Sequence, residues 1–361
     1  MFKMISVFTI SLTLILCVSY CACAQDDPQR TPIRAFQHVL GFAEDQYAIG
    51  VVDISQDGRL MLTARASRVK VWDVQSGAEV ATGGEHPSIP AAAFSPDAEY
   101  FVTGDKFGWL KVYETQTGEK TFEAFLRSTD TNYRGIPPGI WAVAFSPQGD
   151  RIAAKRGCDL VVYDLTLKEE IARLHTRRLS TYVAFFPDGR RVFGRDIRRG
   201  LDGYDHNTGI VWNFTTGEVV YFQGGLATLV DEGREVITTT SDWDGSNRVG
   251  TYVASRWDAN TRELKSTSPE FITSDGGISF SPSGDMVFVK EEGKTVGKLV
   301  DLQTGASLRR FDPPGDGEIG MSCFSPDGNR LVTVIADTAY LWDISDLVTA
   351  VEDAELYDQK E

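Results

Sequence analysis

Phe324-Ser325-Pro326-Asp327-Gly328 is one copy of a phrase to which the chain keeps returning. Phe145-Ser146-Pro147-Gln148-Gly149, Phe280-Ser281-Pro282-Ser283-Gly284, Phe186-Pro187-Asp188-Gly189 and Phe94-Ser95-Pro96-Asp97 are close variants. Ile54-Ser55-Gln56-Asp57-Gly58 and Leu229-Val230-Asp231-Glu232-Gly233 are weaker ones, making seven. Pro presets φ, while Asp and Gly tolerate positive φ, so the phrase reverses the chain between two strands. The apolar lead residues stand at 54, 94, 145, 185, 229, 280 and 324, giving spacings of 40, 51, 40, 44, 51 and 44. A period near 44 corresponds to one four-stranded sheet per repeat.

A second mark follows each phrase: Trp72-Asp73, Tyr113-Glu114, Tyr163-Asp164, Trp212-Asn213, Trp257-Asp258, Val300-Asp301 and Trp342-Asp343. The aromatic is a large anchor for packing between sheets, and the polar residue after it opens the next turn. The segments between marks, such as Trp141-Ala142-Val143-Ala144-Phe145 and Glu235-Val236-Ile237-Thr238-Thr239, are short, β-branched or aromatic and partly alternating, which predicts strands. Small residues such as Ala91, Ala92 and Ala93 in the first strand of a repeat suit strands crowding a narrow channel.

With these paired marks the chain resembles a WD-repeat (WD40-like) β-propeller with degenerate repeats, which implies an all-β fold of seven blades, each a four-stranded antiparallel sheet. The repeats depart from the family pattern. Glu85 replaces the Gly of the Gly-His pair at His86, and Phe107 stands where the family has an aspartate before the Trp-Asp strand, so the family's buried hydrogen-bonded tetrad is expected to be mostly lost. Six repeats continue into an outer strand, but the seventh runs into acidic residues 346–361. The segment Ile33 to Val39 has no other partner and is expected to complete the last blade, because an open edge would be an aggregation template. The domain reading is a signal peptide over 1–24, a linker over 25–32, the propeller over 33–345 and an acidic tail over 346–361 that frays or forms a short surface helix.

The export reading rests on Lys3, the apolar run from Ile5 to Leu16, and Ala22-Cys23-Ala24 before Gln25, a small-x-small cleavage pattern. It places the protein in the periplasm or outside the cell. A retained anchor and a lipid-modified Cys23 are the alternatives; no later window is apolar enough to span a membrane. Cleavage would remove one Lys and no acid, changing the net charge from -15 to -16, and would leave only Cys158 and Cys323, which is no disulfide framework. Such a charge repels phosphate backbones, so no nucleic-acid role is expected. A monomer is the expected state, and no cofactor is implied.

Motifs for a serine nucleophile elbow, zinc protease, phosphate loop or dinucleotide fold are absent, and His38, His86, His175 and His206 are scattered. Three long links stand out: Arg127–Gly139 with Tyr133 and Arg134, Asp196–Thr208, and Asp242–Gly250. Residues 168–199 hold nine basic side chains and four acids, a local +5 in an acidic protein. That run is either a solvated charge surface or a site for an acidic protein, peptide or other anion, arginine being suited to bidentate carboxylate or phosphate contacts. The contact candidates are Arg177, Arg178, Arg198, Arg199, Tyr204 and Trp243, on a noncatalytic scaffold whose loop-rich face binds a partner. The alternative is a metal-dependent propeller hydrolase or lactonase using Asp242, Asp244 and Asn247, which faintly resemble a calcium loop without its third acid and closing Glu.

Overall fold

A computed structural model describes residues 31–38, 48–84, 86, 88–128, 138–176, 182–199, 205–242, 249–274, 278–291, 296–315 and 317–348. Seven antiparallel sheets follow one another along the chain. Blade 1 runs from an inner strand Ile49–Ile54 through Leu60–Arg65 and Arg68–Asp73 to an outer strand Glu79–Gly83. Blades 2 to 6 repeat this order from inner strands Ala91–Phe94, Ile140–Phe145, Val183–Phe185, Ala227–Val230 and Ile278–Phe280. Inner strands lie side by side from blade 6 through blades 7 and 1 to blade 4, while the inner strand of blade 5 packs on the second strand of blade 4 and its Phe271–Ser274 strand on the second strand of blade 6, so the sheets form a propeller.

Blade 7 supplies only Ile319–Phe324, Arg330–Ile335 and Thr338–Asp343 from its own stretch of chain. Its outer strand is Arg34–Gln37, with Arg34 opposite Leu341 and Gln37 opposite Thr338, so the expected closure is present. Phe36 is 1% exposed and meets Trp72 edge-on at 5.8 Å between ring centroids, tying this borrowed strand to blade 1 as well. Arg330 Nη1 donates to the Gly58 carbonyl at 2.9 Å across the same seam. The strand leads into His38, fully buried, whose Nδ1 lies 2.9 Å from Thr63 Oγ1 and whose Nε2 has no hydrogen-bond partner among the described residues. Burial, reinforced by the charges of Lys70 and Arg65, pushes this imidazole down to about 3.

Both repeated marks work through local polar chemistry. In the first, Ser325 Oγ accepts from Arg330 N at 2.9 Å and donates to Asp327, and Gly328 takes φ +74°. Ala98 occupies the equivalent left-handed position in blade 2, at φ 57°, where a Cβ is disfavoured. In the second, the acid accepts from backbone amides two and three residues on, as Asp301 does from Gln303 and Thr304. The tryptophan before that acid donates its indole N–H to a threonine of the second strand: Trp72 to Thr63, Trp257 to Thr238 and Trp342 to Thr333, each at 2.9 Å. A buried Trp keeps its polar tip satisfied in this way while its ring fills the space between sheets.

Two features differ from the sequence reading. The expected loop Asp196–Thr208 is mostly strand: Arg191–Arg199 pairs with Asp205–Asn213 along its whole length. Blade 5 also gains a fifth strand, Phe271–Ser274, because its third strand Val249–Asp258 is ten residues long and the outer strand Leu264–Thr267 covers only one end. After Asp343 residues 345–348 form a helical turn whose Leu347 and Val348 pack on the blade 7 core. The proposed signal peptide and the rest of the tail lie outside the described residues.

Candidate functional site

The antiparallel order within each blade sends the links between second and third strands, and those from outer strand to the next inner strand, to one face. Blades 1, 2, 3 and 7 make their second-to-third turn without lengthening the flanking strands, as at Arg65 to Arg68 in blade 1 and Ile335 to Thr338 in blade 7. Blades 4 and 5 do not. In blade 4 the inner strand reaches only as far as Gly194 and the outer strand only as far as Thr208, yet the central pair continues to Arg199 opposite Asp205. In blade 5 the inner strand stops at Thr238, while the central pair continues to Asp242 opposite Thr251. Two adjacent blades therefore raise ribbons from the same face. The β-branched stretch Val236-Ile237-Thr238-Thr239-Thr240 favours such an extension.

Arg198 and Arg199 stand in the second strand of blade 4, opposite His206 and Asp205, rather than in a loop. Asp242 ends the second strand of blade 5. Arg177, Arg178, Tyr204, Trp243, Asp244 and Asn247 lie outside the described residues, as do Tyr133 and Arg134. Among the described residues no group of three His, Cys, Asp or Glu side chains is placed to hold a metal ion.

Part of the basic run is internally neutralised. Arg173 bonds both Glu170 oxygens and fully buried Asp159, and Arg191 bonds Asp188 at 2.6 Å and Asn260 at 2.7 Å. Arg195 is structural: its Nε donates to the Ala227 carbonyl at 2.8 Å and its guanidinium lies 5.2 Å from the Tyr182 ring centroid. Burial holds Arg195 below the usual arginine range.

Blade 2 corrects the expectation about the tetrad. Asp105, two positions before Phe107, is the aspartate: its Oδ2 is 3.0 Å from His86 Nδ1, and His86 Nε2 is 2.6 Å from Thr103 Oγ1. Tyr113 completes the group edge-on to His86 at 6.5 Å. Burial raises the Asp105 carboxyl, but the His86 hydrogen bond and the backbone amides of Trp109 and Phe107 outweigh it and leave it below the usual range. Spacing hid this residue, because the link runs three residues beyond Asp105 before the third strand starts at Trp109. At the inner ring, Asp53 accepts from Phe94 N at 2.9 Å and Ile54 N at 3.0 Å, and burial pushes its carboxyl up to about 6.

No protein-family model matches the chain. A guanine nucleotide-binding protein subunit beta of Arabidopsis thaliana is 25% identical over 269 residues, 69% of this chain and 67% of the relative. Among solved structures, the β-propeller domain of Cps50 (Swd1) from Myceliophteria thermophila superimposes with a TM-score of 0.64 at 13% identity, covering 82% of this chain and 97% of that one. This chain is a seven-bladed β-propeller that resembles the WD40-like propellers, with degenerate repeats. In such a propeller the strands set a frame, and the blades differ from one another mainly in the links at one face. Among the described residues, no helix of this propeller is long and apolar enough to cross a membrane.

Proposed function

We propose that this WD40-like propeller is an exported, noncatalytic scaffold that binds a protein or peptide partner through its loop-rich face, on the side of blades 4 and 5. The observation that carries this reading is the pair of adjacent ribbons, which lengthen the central strands of two blades past their inner strands and, in blade 4, past the outer strand as well. A frame that needed only closure would turn at the blade edge, as blades 1, 3 and 7 do. The relative named as a subunit of a larger assembly points the same way. Arg177, Arg178, Arg198 and Arg199 supply the charge for an acidic partner, Tyr204 and Trp243 the aromatic anchors.

Capture of partners from the native compartment by the intact protein tests this. The quadruple change of Arg177, Arg178, Arg198 and Arg199 to Ala is expected to abolish capture of the main partner, and retention of every partner would remove the basic site. Export is tested separately by N-terminal sequencing of protein recovered outside the cytoplasm, with Gln25 expected first.

A further inference from the structure

Several cations in this acidic chain face an acid: Lys70 faces Glu79, Arg256 faces Glu235 and Asp285, and Arg309 faces Asp346. Lys106, Arg127 and Arg156, at the loop-rich end of blades 2 and 3, have no carboxylate within ion-pair distance among the described residues. Beside them lie three large exposed rings: Phe107 at 46%, Trp109 at 39% and Phe125 at 48% exposure. Trp109 and Phe125 are register partners on adjacent strands, with ring centroids 5.3 Å apart. The Arg156 guanidinium lies 4.7 Å from the Phe125 centroid, and Lys106 Nζ lies 5.2 Å from that of Phe107.

The platform is held from below. Arg156, 2% exposed, donates to the Phe107 carbonyl at 2.9 Å and the Pro138 carbonyl at 3.0 Å, and its Nη1 is buried without a partner. Gly108 takes φ +99°, and a Cβ there would strike that guanidinium. Asp105 accepts from the Phe107 and Trp109 amides at 2.8 Å each and is itself fixed by His86, while Leu126 N donates to the Gly108 carbonyl at 3.0 Å. Three exposed rings on one rigid corner need a reason, since a monomer's surface seldom gathers large apolar groups. Positive charge with no carboxylate within ion-pair distance among the described residues, in a chain of net charge -15, favours a negative occupant.

We infer that Phe107, Trp109 and Phe125, flanked by Lys106, Arg127 and Arg156, form a docking platform for a peptide segment that carries carboxylates next to an apolar or aromatic side chain. This rests on the scaffold reading and adds a second contact area beside the ribbons of blades 4 and 5. The apolar side chain packs against the Trp109–Phe125 pair, and the carboxylates meet Lys106 and Arg127, with Arg156 contributing positive potential from beneath.

The test is fluorescence anisotropy of a labelled synthetic peptide of alternating glutamate and phenylalanine, titrated with the intact protein. Peptides of alternating lysine and phenylalanine, and of glutamate alone, serve as controls. Binding of the first is expected to exceed both controls by at least about tenfold, a 1.4 kcal/mol difference. Trp109→Ala, Phe125→Ala and the pair Lys106→Glu with Arg127→Glu are each expected to weaken it about tenfold, with unchanged thermal unfolding because these side chains are exposed. Arg198→Ala with Arg199→Ala is expected to leave it within about twofold. Absence of binding, equal binding of the lysine peptide, or indifference to Trp109→Ala and Phe125→Ala would each overturn the platform. Partner capture from the native compartment that depends on the blade 4 arginines but not on Trp109 would leave the scaffold standing and remove the platform alone.

Discussion

The seam between blades 7 and 1 and the paired ribbons of blades 4 and 5 use the same repeated unit for opposite ends. At the seam every extra group is directed inward: Phe36 fills the space beside Trp72, Arg330 reaches a blade 1 carbonyl, and Arg65 Nη1 donates to the His38 carbonyl at 2.7 Å. At the ribbons the extra residues run outward, beyond the inner strands of both blades and, in blade 4, beyond the outer strand too. Burial and pairing concentrate stability at the seam, while the blade 4 ribbon adds backbone pairing without a strand on either side. The seam should therefore be sensitive to substitution and the ribbon of blade 4 tolerant of it.

The largest expected effect is at the seam. Phe36→Ala should lower unfolding stability by about 3–5 kcal/mol, because a fully buried ring is removed and the cavity is shared by two blades; chemical denaturation measures it. A loss below about 1 kcal/mol would mean that the borrowed strand is not part of the cooperative core.

Acid should act on the same place. His38 stays neutral in the fold down to about 3, whereas an unfolded histidine takes its proton near 6.5. Below that pH the unfolded chain binds the extra proton, so stability falls as pH drops from 6.5 toward 3, by up to about 1.4 kcal/mol per unit. Asp53 works in the other direction. With its carboxyl at about 6 in the fold against 3.8 unfolded, it removes stability as pH rises through that window. The readout is therefore the difference in denaturation midpoint between the wild type and His38→Asn: it should shift against the wild type on acidification. A pH-independent difference would break the link between closure and this imidazole.

Shortening the blade 4 ribbon sharpens the comparison from the other side. Replacing residues 197–207 by a tight Asn-Gly turn between the register partners Asp196 and Thr208 should cost less than about 1 kcal/mol, since loop length changes closure entropy only slowly, yet should abolish capture of the main partner. Loss of folding would show that the ribbon belongs to the frame. The smallest effect is expected at Ala98→Gly, which relieves the left-handed alanine in blade 2 and should gain about 0.5 kcal/mol in thermal unfolding. A loss there would mean that the turn gains more from a Cβ than its backbone suggests.

The propeller was readable because its signals are local. Pro-Asp-Gly turns, the Trp-Asp turn and the count of outer strands each need only neighbouring residues, and the count alone placed Arg34–Gln37 in the last blade. Features resting on distant pairs were not readable. Arg156 and the Phe107 carbonyl are 49 residues apart, and nothing in either segment announces the other. The ribbon in blade 4 was hidden for a different reason: Arg198-Arg199-Gly200-Leu201-Asp202-Gly203 is charged and glycine-rich, so it reads as loop although its flanks are paired. The fifth strand of blade 5 follows Pro269, a turn former, and owes its existence to the unusual reach of Val249–Asp258.

Because Arg34–Gln37 waits for Thr338–Asp343, a growing polypeptide cannot finish this ring until almost all of it has left the ribosome. Through that interval its leading segment must remain unengaged. Until the borrowed strand docks, the third strand of blade 7 keeps an open edge, so its arrival is the step that commits the whole ring.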